Sequence, residues 1–261
     1  MPLPPDVELI DTHAHLDFSD YDADRDEVVR RAAEHGVRRI INIGSSLRGS
    51  VNSVELAKRY PDIYAVVGCH PHDAKDFGAD DLARVRALAS SDRVVAIGEI
   101  GLDYYRNLSA QDLQQALFSS LVRMARELNL PVVIHSRQAA DDTLRIAREE
   151  KLERAIVHCF SGDGGFLRSC LDMGFYVSFT CNITYKKSQP LRDLVRLVPL
   201  DRLCLETDAP YLSPEGFRGK RNEPMHVHTL AQAIAGLRGI SFEEVCRVTT
   251  QNALRFFSIH V

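Results

Sequence analysis

Short apolar runs recur along the chain, and a longer amphipathic stretch follows each. The runs are VELID (7–11), RIINI (39–43), IYAVVG (63–68), VVAIG (94–98), PVVIH (131–135), AIVHCF (155–160), FYVSF (175–179) and RLCLE (202–206). Nearly continuous apolar runs are the pattern of strands buried on both faces, and their alternation with helical stretches reads as βα units of a parallel sheet. In the clearest helical stretch, Ser109 to Leu128, the residues Leu113, Leu117, Leu121, Ala125 and Leu128 fall on one predicted face. Ser109 with Asp112 resembles a capping box, and Asn129 and Pro131 close the segment. A last helix is expected from Ser241, with Glu244 three residues on and Phe242, Val245, Val248, Leu254 and Phe257 as its apolar positions. Eight strands with a helix after each predict an α/β fold of the (β/α)8 TIM-type barrel class, a single domain over residues 6–261. A doubly wound open sheet has the same alternation, because strand order is not written in the pattern.

Composition narrows the picture. No apolar run approaches the roughly 20 residues of a membrane-spanning helix, and the N-terminus MPLPPDVELIDTHAH lacks the basic and apolar regions of a signal peptide. A cytoplasmic location is expected. The six cysteines, at 69, 159, 170, 181, 204 and 246, form no Cys-x-x-Cys pair, so buried free thiols are expected rather than a zinc ribbon. The net charge of −4 excludes a global basic footprint for gripping duplex DNA, but leaves room for a local site that holds one phosphate or one strand end.

The chemistry gathers at the C-terminal ends of the predicted strands. His13 and His15 close the first strand two residues apart, so strand alternation points both to one side. Glu99 ends the fourth between Gly98 and Gly101, which let the backbone bend tightly. His135 ends the fifth, His158 the sixth, and Asp208 follows the eighth. In a TIM-type barrel these ends converge on one mouth. Buried acids and imidazoles are costly unless paired or metal-bound, and this donor set suits Zn²⁺, Mn²⁺ or Fe²⁺. Six ligands are more than one hydrolytic ion can use while keeping a place for water, so two metals sharing a carboxylate are expected. Glu206 and Asp11 are candidates to orient histidines. His70 ends the third strand at the same edge as a substrate contact, and His72 is expected to face solvent. Arg137, Lys186, Lys187, Arg218, Lys220 and Arg221 would form a cationic rim for phosphate, Arg through its planar fork and Lys as a point charge. Asn222-Glu223-Pro224 would shape a loop over the mouth, while His35, His226, His228 and His260 are given no catalytic role. There is no phosphate-binding Gly-x-x-x-x-Gly-Lys loop, no His-Glu-x-x-His helix and no Gly-x-Ser-x-Gly elbow, and no organic cofactor is expected.

The segments DTHAHLD, GCHPH, IGEIGLDYY, VIHSR, VHCFSG, ETDAPYL and RGKRNEP occur in this order. Together they resemble the TatD family of metal-dependent deoxyribonucleases, within the amidohydrolase superfamily, from about Ile10 to the closing QNALRFF at 251–257. The resemblance implies that His13, His15 and Asp208 bind a first metal, that Glu99 bridges two metals, and that His135 and His158 complete the second. It implies that Asp208 is the general base toward the attacking water. The implied activity is 3′→5′ exonucleolytic hydrolysis of DNA, preferentially at single-stranded 3′ ends, with Mg²⁺ as the usual assay metal. Two other readings stay open. One is a metal-dependent esterase or deacylase, such as a D-aminoacyl-tRNA deacylase, because the ligands suit attack on carbon or phosphorus alike. The other is a non-catalytic scaffold, against which the intact ligand set argues.

Overall fold

The computed structural model describes residues 7–260; Asp6 and Val261, the ends of the expected domain, lie outside the described residues. Eight strands, β1 (Leu9–Ala14), β2 (Val37–Gly44), β3 (Ile63–Val67), β4 (Val94–Asp103), β5 (Val132–Arg137), β6 (Ala155–Val157), β7 (Tyr176–Phe179) and β8 (Leu203–Leu205), form one sheet in chain order. The helices between and after them are α1 (Arg25–Glu34), α2 (Leu47–Arg59), α3 (Ala79–Leu88), α4 (Gln111–Glu127), α5 (Ala140–Glu149), α6 (Gly164–Asp172), α7 (Gln189–Leu197), α8 (Val227–Arg238) and α9 (Phe242–Phe256). Strands in chain order with intervening helices are the (β/α)8 TIM-type barrel fold, not the doubly wound alternative, whose strand order reverses. Among the described residues no helix is long and apolar enough to cross a membrane. All six cysteines are free thiols, buried except for the half-buried Cys159.

Residues 7–42 and 177–260 form one compact unit. Here β1 pairs in parallel with β2, and β7 with β8. The first strand also meets the segment after the last. Ala14 bridges Ala209, the His15 N–H donates to the Ala209 carbonyl at 2.7 Å, and the Asp208 N–H donates to the His13 carbonyl at 2.8 Å. Leu9, Ile40, Leu203, Leu205, Val227, Ile234, Val245 and Phe256 are among its buried side chains. The Ser241 hydroxyl caps α9 by accepting the Glu244 N–H at 3.1 Å, as the spacing predicts. The loop after β8 is tied down along its length. Asn222 Nδ2 donates to the carbonyls of Thr207 and Tyr211, and the Tyr21 hydroxyl donates to the Asn222 carbonyl at 2.6 Å. Arg221 donates to both Asp24 oxygens at 2.7 Å and to Glu223 at 3.1 Å, and Arg31 bridges the same two carboxylates.

Residues 43–176 form the other unit, with Ile63, Val67, Val85, Ile97, Ile100, Leu121, Ile134, Ile146 and Ile156 in its interior. Two expectations change there. β4 does not end at Gly98; it runs on to Asp103, and all ten of its residues are buried. The register against β5 is irregular between Ile97 and Ile100, so the chain around Glu99 bulges, a device that re-aims a side chain beside a site. α4 presents a rotated face. Leu113 is exposed, and Gln114 is buried because its amide answers the Asp103 N–H at 2.8 Å and the Ser109 carbonyl at 2.7 Å. Ser109 is not the cap of α4; its hydroxyl donates to the His72 carbonyl and accepts the Lys75 N–H, while Ala110 stands at the cap position.

Gly101 sits opposite His135 with φ of +141°, and a Cβ there would lie 2.0 Å from the His135 carbonyl oxygen. Gly101→Ala is therefore expected to cost about 3 kcal/mol or more, since backbone must move on both strands. Urea unfolding would read this as a lower midpoint. Asp24 is held at a pKa of about 2 by the Arg221 hydrogen bonds, which outweigh the upward pull of burial, with Arg31 adding to them. A depressed carboxylate contributes stability above its unfolded pKa and loses it as pH falls through the folded value. Asp24→Asn should thus lower neutral-pH stability by about 1 kcal/mol, the scale for a network that water still reaches. Thermal melts against pH should show the gap to the wild type closing between about pH 4 and pH 2.

Candidate functional site

Two clusters of imidazoles and carboxylates stand at strand ends, one in each unit. In the first, His13 is the penultimate residue of β1 and His15 directly follows the strand. Their Nε2 atoms are 3.3 Å apart, and Asp208 Oδ1 lies 3.7 Å from one and 3.5 Å from the other. Asp208 has a φ of +54°, a left-handed conformation that Asp tolerates better than most residues. The turn brings its carboxylate to the pair of rings. The side chains of His13 and His15 are 0% and 5% exposed and that of Asp208 15%, so Asp208 is the member that water reaches. Phe18 stacks on the His15 ring at 4.8 Å.

Behind this cluster lies Asp11, fully buried, with its oxygens accepting the His13 N–H, the Thr207 N–H and the Thr207 hydroxyl. Burial pushes its carboxyl up to about 8, although these hydrogen bonds oppose the shift. Asp11 thus anchors the backbone of His13 rather than an imidazole, and it ties β1 to the residue before Asp208. Glu206 is also buried and accepts the Ser178 hydroxyl at 2.6 Å.

In the second cluster Glu99 Oε1 lies 2.7 Å from His158 Nε2 and 2.8 Å from His135 Nδ1, and the two ring nitrogens are 3.2 Å apart. His70 Nε2 is 3.7 Å from the same oxygen. The His72 backbone N–H donates to His70 Nδ1, so a neutral His70 carries its proton on Nε2 and offers a donor at that point. Burial holds its pKa down to about 3, so the ring is neutral at pH 7.

Asp103 was missed as a site residue by the sequence pattern. It is 1% exposed and its Oδ2 receives His135 Nε2 at 3.3 Å and His72 Nε2 at 3.0 Å. Its other oxygen accepts the Arg106 N–H. Hydrogen bonds from His135, Arg106 and His72 hold the Asp103 carboxyl well below the usual range, overcoming the upward effect of burial. Both His135 nitrogens thus face carboxylates, Nε2 toward Asp103 and Nδ1 toward Glu99, and although burial opposes them these hydrogen bonds raise its pKa. With Nε2–H held by Asp103, Nδ1 is the nitrogen that could exchange its proton for a cation, the carboxylate–histidine arrangement that orients metal ligands. His72 accordingly does not simply face solvent; it shares Asp103. The signal was present, since Glu99, Gly101 and Asp103 alternate onto one side of a strand, but only if that strand continues past Gly98.

The donor set fits divalent metal. A tetrahedral ion with nitrogen and oxygen ligands at about 2.1 Å sets those ligands roughly 3.4 Å apart. The first cluster has that spacing, and in the second the His135 and His158 ring nitrogens are 3.2 Å apart. The Glu99 contacts to His135 and His158 are shorter, at hydrogen-bond distance. Of the expected cationic rim, Arg137 is exposed with its guanidinium 4.0 Å over the Tyr105 ring, Lys187 is exposed in a turn, and Arg218 lies 4.6 Å over the Tyr185 ring. The Arg221 guanidinium is engaged with Asp24, Glu223 and the Asp20 carbonyl.

Comparison with known proteins agrees with the donor set. A family model described as TatD-related DNase matches residues 10–258. The chain is 43% identical to an uncharacterized metal-dependent hydrolase, YabD, of Bacillus subtilis, over 97% of this chain and 100% of that protein. It is 38% identical to a protein of Erwinia tasmaniensis named 3′-5′ ssDNA/RNA exonuclease TatD, over 96% of this chain and 100% of the other. Among solved structures, the TatD homolog YjjV of Escherichia coli superimposes with a TM-score of 0.92 at 30% identity, covering 97% of this chain and 98% of that one.

Asp103→Asn should weaken binding of Zn²⁺ or Mn²⁺ by roughly 10- to 100-fold, the usual cost of losing a carboxylate that orients a histidine ligand. Calorimetric titration of metal-stripped protein checks this. An unchanged affinity would show that Asp103 serves only packing.

Proposed function

The chain belongs to the TatD-related DNase family of metal-dependent hydrolases, and we propose on that basis that it is a phosphodiester hydrolase acting at the 3′ end of single-stranded DNA. The observation that carries the reading is the pair of buried clusters, each with two imidazoles and a carboxylate. His13, His15 and Asp208 would hold one divalent ion, and Glu99, His135 and His158 a second, with Glu99 assigned by the resemblance to both. A divalent cation bound there supplies charge to the phosphoryl oxygens and acidity to the attacking water.

The chain's own residues do the rest. Asp208 is the general base; the carboxylate oxygen not turned to the imidazoles takes the proton of the attacking water, and its partial exposure gives that water access. Neutral His70 donates Nε2–H to a phosphoryl oxygen and stays uncharged through the reaction. Asp103 positions His135, and Gln114 fixes the backbone of Asp103. Arg137, Lys187 and Arg218 attract the phosphates of the strand, Arg137 from a stacked and pre-oriented guanidinium. Arg221 acts by holding the loop on which Arg218 is carried.

Metal-reconstituted protein should shorten single-stranded DNA with a free 3′ end, spare the same strand with a blocked 3′ end, and leave a D-aminoacyl ester intact. Glu99→Ala should lower the rate by at least about 100-fold. Deacylation without DNA cleavage would overturn the reading, and cleavage that persists in Glu99→Ala would assign the nuclease to a contaminant.

A further inference from the structure

The loop after β8 and Tyr185 line a cleft of ≈ 500 Å³ in the unit formed by residues 7–42 and 177–260. Tyr211 stands in it 54% exposed, and Phe217 nearby is 44% exposed. Rings about half exposed are only partly used in packing, Phe217 against the His226 ring at 4.9 Å, and two on one loop leave aromatic faces open to a ligand. Mobility of the backbone does not account for them. The Tyr211 N–H donates to the Asp208 carbonyl at 2.8 Å, and its own carbonyl accepts Asn222 Nδ2 at 2.6 Å. The Tyr185 hydroxyl donates to the Ser213 carbonyl at 2.9 Å, and the Thr184 hydroxyl accepts the Glu215 N–H at 2.9 Å. The rings are held out on a fixed frame.

Cations lie over the neighbouring rings. Arg218, with a side chain 62% exposed, sits 4.6 Å from the Tyr185 centroid, and Lys220 Nζ sits 5.7 Å from that of Phe217. Two carboxylates share this rim, Asp20 in the cleft lining and Glu215, whose contact with Arg218 is only a marginal 4.0 Å. Tyr211 also reaches toward the metal ligands. Its ring centroid is 6.4 Å from that of His15 and 6.3 Å from that of Phe18, which itself stacks on His15. A flat group lying on Tyr211 is therefore one ring away from His15.

Alternating aromatic faces and cations, on a protein with a net charge of −4, is the arrangement that holds single-stranded nucleic acid through base stacking and phosphate contact. We propose that Tyr211 is a stacking platform for the nucleobase adjoining the scissile phosphate, and that Arg218 and Lys220 take the next phosphate along the strand. The proposal rests on the nuclease reading for its substrate. It adds a base-binding subsite, so the enzyme recognises the terminal base as well as the backbone.

Binding and turnover would be measured separately. A fluorescein-labelled oligothymidylate protected at its 3′ linkage by phosphorothioate is titrated with metal-reconstituted protein, beside the same strand ending in an abasic nucleotide. Tyr211→Ala should weaken binding of the base-bearing strand about tenfold, leave the abasic strand unchanged, and melt at the wild-type temperature, while Tyr211→Phe binds as wild type. Arg218→Ala should weaken both strands and flatten the salt dependence. Equal affinity of Tyr211→Ala and wild type for the base-bearing strand would overturn the subsite, as would an equal loss on the abasic strand or no binding by the wild type. Tyr211-dependent binding without cleavage would support the subsite and defeat the nuclease reading. Cleavage with the same KM in Tyr211→Ala and wild type would do the reverse.

Discussion

Four carboxylates, Asp11, Glu99, Asp103 and Glu206, are removed from water in this barrel, none more than 3% exposed. A carboxyl group in a low-dielectric interior is costly unless hydrogen-bond partners surround it, and most of all when ionised. Much of the local architecture follows from that requirement. Asp11 draws two backbone N–H groups and a hydroxyl, and in doing so joins the first strand to the turn before Asp208. Asp103 draws two imidazoles and a backbone N–H, and Gln114 leaves the exposed side of α4 to support the same backbone. Glu99 draws imidazoles that have no reason to converge except a shared acid or a shared cation. The polar groups therefore set the fine geometry of strands whose existence the apolar runs had already determined.

That division explains what was legible from residues alone. All eight strands were visible, because burial on both faces forces continuous apolar runs. The ligand candidates were visible because a polar residue ending such a run is conspicuous. Asp103 escaped notice because it lies beyond Gly98, where the apolar run breaks, and β4 crosses that break through a bulge. The apolar face of α4 was misjudged at Leu113 because periodicity cannot tell a buried Gln with four backbone and side-chain partners from a surface one. Arg221 had the sequence appearance of a phosphate contact. Its engagement depends mainly on Asp24, 197 residues away along the chain, with Glu223 close by, and a pairing so distant leaves no local mark.

The two clusters differ in how their members are fixed. His135 is held by hydrogen bonds from its ring nitrogens to Asp103 and Glu99, so its orientation is set by side chains. Asp208 is set by its backbone, through the left-handed turn and the N–H bond to His13. Substitutions will therefore separate differently at the two places. Asn at 208 keeps both shape and turn, whereas a β-branched residue there would add backbone strain to any chemical loss.

One feature of the chain's layout bears on how the protein is made. The unit holding His13, His15 and Asp208 is assembled from both ends of the chain, and residues 43–176 lie between them as a continuous piece. During synthesis the middle piece can complete its strand pairs β3 to β6 while the first strand, already able to pair with β2, still lacks its contacts with the segment after β8. His13 and His15 emerge early but gain their carboxylate only when β8 and its loop leave the ribosome. A chain released before that point carries the two imidazoles without Asp208, so the first cluster is completed only late in synthesis.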